Sequence, residues 1–111
     1  WALKELAVGN YDLAHAKAQK CIQLDENRAS CWWWKGMTEI LQKNIEEAKN
    51  SIQTAQEKGY RVDGPQQLGQ LARAYAAAGY YVEAREAAQE LLLKQPENRE
   101  QIEAFLNSLP N

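Results

Sequence analysis

The residues that could do chemistry are few, and their spacing assembles no catalytic or metal-binding set. His15 is the only histidine among the 111 residues, so a motif with two histidine ligands has no second member. No Ser-His-Asp or Cys-His arrangement can be built from the motifs, and the glycines form neither a P-loop nor a dinucleotide fingerprint. The chain is therefore predicted to be non-enzymatic, with no cofactor and no metal, and His15 is expected to be exposed.

The two cysteines, Cys21 and Cys31, allow two interpretations, and their spacing matches no zinc motif. They can be small buried hydrophobic residues, because free cysteine is among the residues most often buried. Alternatively, they form a disulfide that clamps two consecutive helices. This second interpretation requires an oxidising compartment and a Cα separation below about 7 Å.

Three consecutive tryptophans, Trp32, Trp33 and Trp34, form the most unusual cluster of the chain. At about 100° per residue they fan over roughly 200° of a helix, so they cannot all enter one core face. Either all three pack between neighbouring helices, or one or two of them line a ligand groove, since exposed tryptophan marks binding surfaces.

Two registers are open for this tryptophan helix. The first buries Trp32 and Gly36 and also turns Lys35 and Glu39 inward. The second leaves Lys35 and Glu39 as an exposed pair four residues apart, and it buries a stripe with helical spacing. The stripe of the second register consists of Trp33, Gly36, Met37, Ile40 and Leu41.

Composition indicates a soluble chain without a basic surface. Charged residues make up 25% and hydrophobic residues 45%, which is ordinary for one globular domain or a short repeat array. The formal net charge of −2 disfavours nucleic acid and anionic membranes as partners, and no apolar run approaches the roughly 18 residues of a membrane span. We expect a soluble protein of the cytoplasm or periplasm, without membrane insertion. Because the chain begins at Trp1, inside a pattern, we also expect it to be a piece of a longer protein.

Three stretches place residues at relative positions 0, 3, 7 and 10, which puts four side chains on one stripe of an α-helix. The second stretch follows the first by 34 residues, and the third follows after a further 36. A period of this length is typical of stacked helix–turn–helix units. The stretches are Tyr11, Ala14, Ala18 and Cys21; Ile45, Ala48, Ile52 and Ala55; and Tyr81, Ala84, Ala88 and Leu91.

The same periodicity predicts seven helices, the first one cut short. Gly9 and Gly79 can adopt the left-handed conformation that ends a helix, and Asn44 is the substitute that tolerates it after Lys43. The predicted helices span residues 1–8, 11–24, 29–42, 45–58, 65–78, 81–94 and 99–108.

Prolines and one asparagine set the remaining helix ends. Pro65 suits a first helical position, and Pro96 stops the helix that precedes it. Asn98 is predicted to cap the last helix with its side chain.

These residues resemble the tetratricopeptide repeat (TPR) family, whose unit is two antiparallel helices. The third unit matches best, through Leu71-Ala72, Tyr75, Gly79-x-Tyr81-x-x-Ala84, Ala88 and Pro96-x-Asn98. The first unit keeps Gly9-x-Tyr11-x-x-Ala14, and the second keeps Trp32, Gly36, Ala48 and Ala55.

The resemblance implies an all-α fold in which antiparallel helix–turn–helix repeats stack as a short right-handed TPR solenoid with a C-terminal capping helix. The units would be residues 1–28, with a truncated first helix, 29–62 and 65–98. Residues 99–111 carry one apolar stripe and are predicted to cap the last unit, or alternatively to dock on another protein. That stripe is Ile102, Phe105, Leu106 and Leu109.

The resemblance also implies a concave groove lined by the first helix of each unit, which in this family receives an extended peptide or a helix. Arg73 is its sharpest polar candidate, either as a fork for a carboxylate or as a solvated helix residue. Lys, Asn and Arg of chaperone-binding TPR domains are replaced here, so a receptor for chaperone tails is not expected. The implied groove positions are Ser30, Trp33, Met37 and Ile40 in the second unit and Gln66, Gly69, Gln70 and Arg73 in the third.

The sequence therefore predicts a non-catalytic protein-interaction module that binds a partner peptide or helix in the concave groove, with Trp33 and Met37 as apolar anchors. The alternative is a structural spacer or a self-association element of a longer repeat protein, in which the truncated N-terminal repeat stacks on further repeats or on a second copy. Because the tryptophan helix departs most from the family pattern, we expect function there.

Overall fold

Six α-helices and one short 3-10 helix account for most of the chain in the computed structural model, which describes residues 10–110. No strand occurs in that range. In chain order the helices are α1 (Tyr11–Leu24), α2 (Ala29–Leu41), α3 (Ile45–Glu57), α4 (Pro65–Ala78), α5 (Tyr81–Lys94), the 3-10 helix Pro96–Asn98, and α6 (Arg99–Ser108).

The predicted all-α class and six of the predicted helices are confirmed, with ends that differ by one residue at most. The predicted helix 1–8 and the end signal at Gly9 lie outside the described residues. No helix of residues 10–110 combines the length and the apolar character needed to cross a membrane.

The helix ends follow the predicted chemistry at some positions and not at others. Gly79 takes the left-handed conformation, with φ +91°, and Pro65 is the first residue of α4. Between α2 and α3 the left-handed residue is Lys43, with φ +63°, so the prediction that Asn44 fills this role is wrong. Gly59, with φ +99°, follows α3 and was not predicted.

Asn98 precedes α6 but does not cap it through its side chain. Its Nδ2 donates instead to Gln95 Oε1 at 3.0 Å, inside the turn that Pro96 begins. The predicted capping bond is therefore wrong, although the predicted start of the helix is confirmed.

The chain divides into two compact units, a first that ends at Val62 and a second that begins at Asp63. In the first unit α2 packs against both α1 and α3, and in the second α5 packs against both α4 and α6. The connections 25–28, 42–44 and 79–80 are short, as in hairpins of two antiparallel helices. This packing is consistent with helical repeats.

Small residues let the helices of each unit approach closely. The alanines of the three predicted stripes are buried, and a Cβ added to Gly36 of α2 would lie 2.7 Å from Ile52 Cγ1 of α3. Backbone atoms of Ala48 and Ile52 would lie within 3.3 Å of the same Cβ. Only glycine therefore fits at the α2–α3 contact without a shift of α3. The buried alanines are Ala14, Ala18, Ala48, Ala55, Ala84 and Ala88.

Helix α6 packs on α5 through its predicted apolar stripe. Ile102 and Leu109 are buried, and Phe105 and Leu106 are half-buried. The amphipathic character predicted for this helix is confirmed.

Candidate functional site

Helix α2 is buried on several sides, and the predicted apolar anchors Trp33 and Met37 lie on its buried surface. Trp33 and Ile40 are fully buried, and Met37 is 5% exposed. The Trp33 ring stacks on Tyr60, with ring centroids 5.0 Å apart. In this conformation none of the three side chains is open to a partner, and Ser30 of the same helix is half-buried.

Neither predicted register of α2 is complete. Lys35 and Glu39 are turned inward, as the first register requires. Trp33, Met37 and Ile40 are buried, as the second requires, and Gly36 is buried, as both require. Trp32 is half-buried, and its Nε1 donates to the carbonyl of Glu26 at 2.9 Å. The helix therefore buries most of its circumference, because α1 and α3 pack on it from two sides.

Glu39 is the most deeply buried charged residue of the described chain, with 2% of its surface exposed. Its Oε2 accepts a hydrogen bond from Lys35 Nζ at 2.8 Å and lies 3.0 Å from His15 Nε2. Its Oε1 accepts from Ser51 Oγ at 2.6 Å, and Lys35 Nζ also donates to Ser51 Oγ at 3.0 Å. One carboxylate thus joins α1, α2 and α3.

Burial alone would raise the pKa of the Glu39 carboxyl, but hydrogen bonds from Lys35, Ser51 and His15 together with the charge of Lys35 hold that pKa below its usual range. Since the ionised carboxylate can only accept, His15 Nε2 carries the proton of this contact. Both carboxylate oxygens are occupied by donors, so Glu39 is a structural group in this arrangement and is not placed to act as a general base.

Two expectations are corrected by this cluster. His15 is not exposed: its side chain is half-buried, with 23% of its surface exposed, and it contacts Glu39. The Lys35–Glu39 pair of the second register exists but is not exposed, since it lies between α2 and α3 and is shared with Ser51. Periodicity along one helix does not reveal such partners, because they come from other helices.

Cys21 of α1 and Cys31 of α2 form a disulfide, with their Cα atoms 5.8 Å apart. The bond joins consecutive helices, so the second of the two interpretations describes the structure. Cys31 is fully buried and Cys21 is half-buried.

The predicted groove residues divide between the two units. Trp33, Met37, Ile40 and Ser30 belong to the first unit, and Gln66, Gln70 and Arg73 belong to the second. Within the second unit Gln66 and Arg73 are exposed, and Gln70 is half-buried. Their role in binding a partner stays a prediction.

The second unit contains an apolar cleft of about 240 Å³ between α4, α5 and α6. Small-molecule sites usually measure about 300–1,000 Å³, so this cleft has the size of one or two large side chains. Apolar residues form its floor, and Arg73 and Gln101 supply the polar groups. The lining residues are Gly69, Ala72, Arg73, Ala88, Leu91, Gln101, Ile102 and Phe105.

Arg73 lies along its own helix beside this cleft. Its Nε donates to the carbonyl of Gly69 at 3.2 Å, and a Cβ added to Gly69 would lie 3.6 Å from its Nη2. The missing side chain at Gly69 thus makes room for the guanidinium at the edge of the apolar floor. No carboxylate of residues 10–110 forms an ion pair with Arg73.

Sequence reasoning found Gly69 and Arg73 but missed the other walls of the cleft. Their spacing predicts Ile102 and Phe105 as part of the capping helix, and Leu91 as part of a helical stripe. The apolar stripe of α6 is the signal that could have identified them. A helix that packs on α5 through such a stripe can also place some of its residues beside α4.

No family model matches the chain. No curated protein matches its sequence significantly either.

Proposed function

We propose that the chain is a non-catalytic protein-interaction module, a short helical-repeat array of the TPR type whose binding site is the cleft of the second unit. The observation that carries this proposal is an apolar cleft with an arginine at its edge that has no carboxylate partner among residues 10–110. The cleft takes an apolar side chain of a partner peptide, and Arg73 binds a carboxylate beside it.

The division of roles follows from the lining. Ala72, Ala88 and Ile102 are buried and give a floor without hydrogen-bonding groups, so the floor selects for apolar side chains. The Arg73 guanidinium can donate two parallel hydrogen bonds to a carboxylate, which fixes the direction of the peptide. This differs from the prediction that Trp33 and Met37 anchor the partner, because those side chains are buried.

The test uses a displayed library of random short peptides selected on the intact chain, followed by titration of the enriched peptides. We expect enriched peptides to pair a large apolar residue with a nearby Asp or Glu. Arg73→Gln should weaken their binding at least about 10-fold, as expected for loss of a charge-assisted hydrogen bond. Gly69→Leu, which fills the cleft, should abolish it.

The matched control is Arg99→Gln. Arg99 is an exposed arginine of α6 that lies outside the cleft and pairs with Glu103 four residues along. Its substitution should change peptide affinity less than about 2-fold, since exposed pairs of this kind contribute little. Enriched peptides that bind Arg73→Gln and Gly69→Leu as well as the wild type would place the site elsewhere.

The alternative function is a structural spacer or a self-association element of a longer repeat protein, and the truncated N-terminal repeat that it would use lies partly outside the described residues. It stays a prediction. Light scattering over a range of concentrations separates the two functions, because a monomer at all concentrations contradicts self-association.

A further inference from the structure

Helix α1 has no fully buried large apolar side chain. Ala14 and Ala18 are its buried residues, and each offers a single methyl group. Among its larger side chains, Tyr11 and Ile22 are half-buried, and Leu13 and Leu24 are 41% and 80% exposed. Hydrophobic burial of α1 in the first unit is therefore only partial.

Three side-chain contacts supplement this packing, and they join α1 to α2 or to the residue that follows α2. Asp12 Oδ1 accepts from Gln42 Nε2 at 3.1 Å in an exposed hydrogen bond, and His15 contacts Glu39. The third contact is the Cys21–Cys31 disulfide. Cys31 and Glu39 are spaced by eight residues, so they lie on one face of α2, and Gln42 follows the last residue of this helix.

The disulfide is the strongest of these contacts. The exposed Asp12–Gln42 hydrogen bond contributes little net stability, since water replaces the lost partner, and the part-buried His15–Glu39 contact is a single hydrogen bond. The disulfide closes a loop over a sequence separation of 10, and the chain-entropy relation for a loop of this size corresponds to about 100-fold in the closing equilibrium.

We propose that Cys21–Cys31 is a reversible redox site that controls whether α1 stays docked on α2. Reduction by a dithiol releases α1 and uncovers the face of α2 that carries Cys31 and Glu39. Helices α2 and α3 stay together, because their close contact at Gly36 involves no residue of α1.

The exchange proceeds in two steps that conserve electrons. A thiolate of the dithiol attacks the half-buried Cys21 sulfur, forms a mixed disulfide with it and releases the Cys31 thiolate, which takes up a proton. The second thiol of the reductant then attacks the mixed disulfide, so that Cys21 leaves as a thiol and the reductant becomes a cyclic disulfide. Two electrons and two protons pass to the protein. Attack starts at Cys21 because the Cys31 sulfur belongs to a fully buried residue.

The test is amide hydrogen exchange of the full chain with and without dithiothreitol, with the mass of the chain measured in parallel. Reduction should add two hydrogens and lower the protection of amides in residues 15–24 about 100-fold. Amides of residues 49–57 in α3 should change less than about 3-fold. Cys21→Ala, which cannot form the bond, should show the low α1 protection in both conditions.

Four results would overturn the proposal. The mass does not change on reduction, so the bond does not form. The bond breaks but the amides of α1 keep their protection from exchange, so the docking of α1 does not depend on the bond. The amides of α1 keep their protection in Cys21→Ala, which leads to the same conclusion. Helices α1 and α3 lose protection by the same factor, so the bond stabilises the whole unit and controls no single helix.

Discussion

Replacing glycine by alanine should change the free energy of unfolding in opposite directions at two helix-interior positions, Gly36 and Gly69. A Cβ has no room at Gly36, whereas it has room at Gly69. Gly36 would place its Cβ 2.7 Å from Ile52 Cγ1, 3.2 Å from the Ala48 carbonyl oxygen and 3.3 Å from the Ile52 nitrogen. Two of these three atoms are backbone atoms of α3, so relief requires a movement of that helix. Gly69 would place its Cβ 3.6 Å from Arg73 Nη2 and 3.9 Å from Leu91 Cδ2, which are ordinary contacts.

The magnitudes follow from two opposing contributions. Alanine stabilises a helix interior by about 0.5–1 kcal/mol relative to glycine. Overpacking costs about 1–3 kcal/mol, and the upper half of that range applies at Gly36, where backbone must move. Gly36→Ala should therefore lower the free energy of unfolding of the first unit by about 1–2 kcal/mol, or its Tm by roughly 5–15 °C. Gly69→Ala should raise that of the second unit by about 0.5–1 kcal/mol.

The assay can separate the two units. All four tryptophans of the chain precede Val62, so tryptophan fluorescence during urea unfolding reports on the first unit, and far-UV circular dichroism reports on both. We expect Gly36→Ala to move the fluorescence transition to lower urea and Gly69→Ala to leave it unchanged. A Gly36→Ala variant as stable as the wild type would refute the close approach of α2 and α3.

Further predictions concern the charged cluster and the helix ends. Glu39→Gln leaves Lys35 without its carboxylate and should cost the first unit about 2–3 kcal/mol at neutral pH, measured by tryptophan fluorescence. Because the folded pKa of Glu39 is lowered, its contribution is present above the unfolded pKa of about 4.3 and is lost as the pH falls through the folded value. Glu39→Gln should lack this acid-dependent loss, and an identical loss would contradict the assignment. Lys43→Gly relieves a positive φ and should gain about 1 kcal/mol, whereas Gly79→Ala imposes one and should lose about 1 kcal/mol in urea unfolding. Either change with the opposite sign would contradict the left-handed assignment.

Helix positions could be predicted from the sequence because helix formation depends on local patterns. The spacing of apolar residues and the positions of proline and glycine can be recognised within one segment. The ends of six predicted helices agree with the observed ends to within one residue. The left-handed residue before α3 could not be predicted in the same way. Asn tolerates the left-handed conformation better than Lys. The turn between α2 and α3 nevertheless places Lys43 in that conformation, which costs conformational energy.

The long-range partners could not be predicted, since periodicity identifies a face but not what covers it. Nothing local marks His15 as the partner of a carboxylate 24 residues away, or Ser51 as the group that completes the cluster. The cleft could not be predicted for the same reason, because its walls come from three helices. Arg73 was recognised as a polar candidate, but its apolar neighbours Ile102 and Phe105 become visible only when α6 is packed on α5.

The charged pair and the tryptophans of α2 were expected to mark function, but the structure gives them a role inside the fold. A charged pair at Lys35 and Glu39 indicates a binding role only if the charges are left for a partner. Here both oxygens of the carboxylate accept hydrogen bonds inside the unit, from Lys35, Ser51 and His15, and Trp33 is stacked inside the same unit. A buried group bonded in this way has little left to offer a ligand. Arg73 is the opposite case, with one hydrogen bond to its own helix and an apolar cleft beside it. Binding should therefore respond to substitution in the second unit, and folding to substitution in α2.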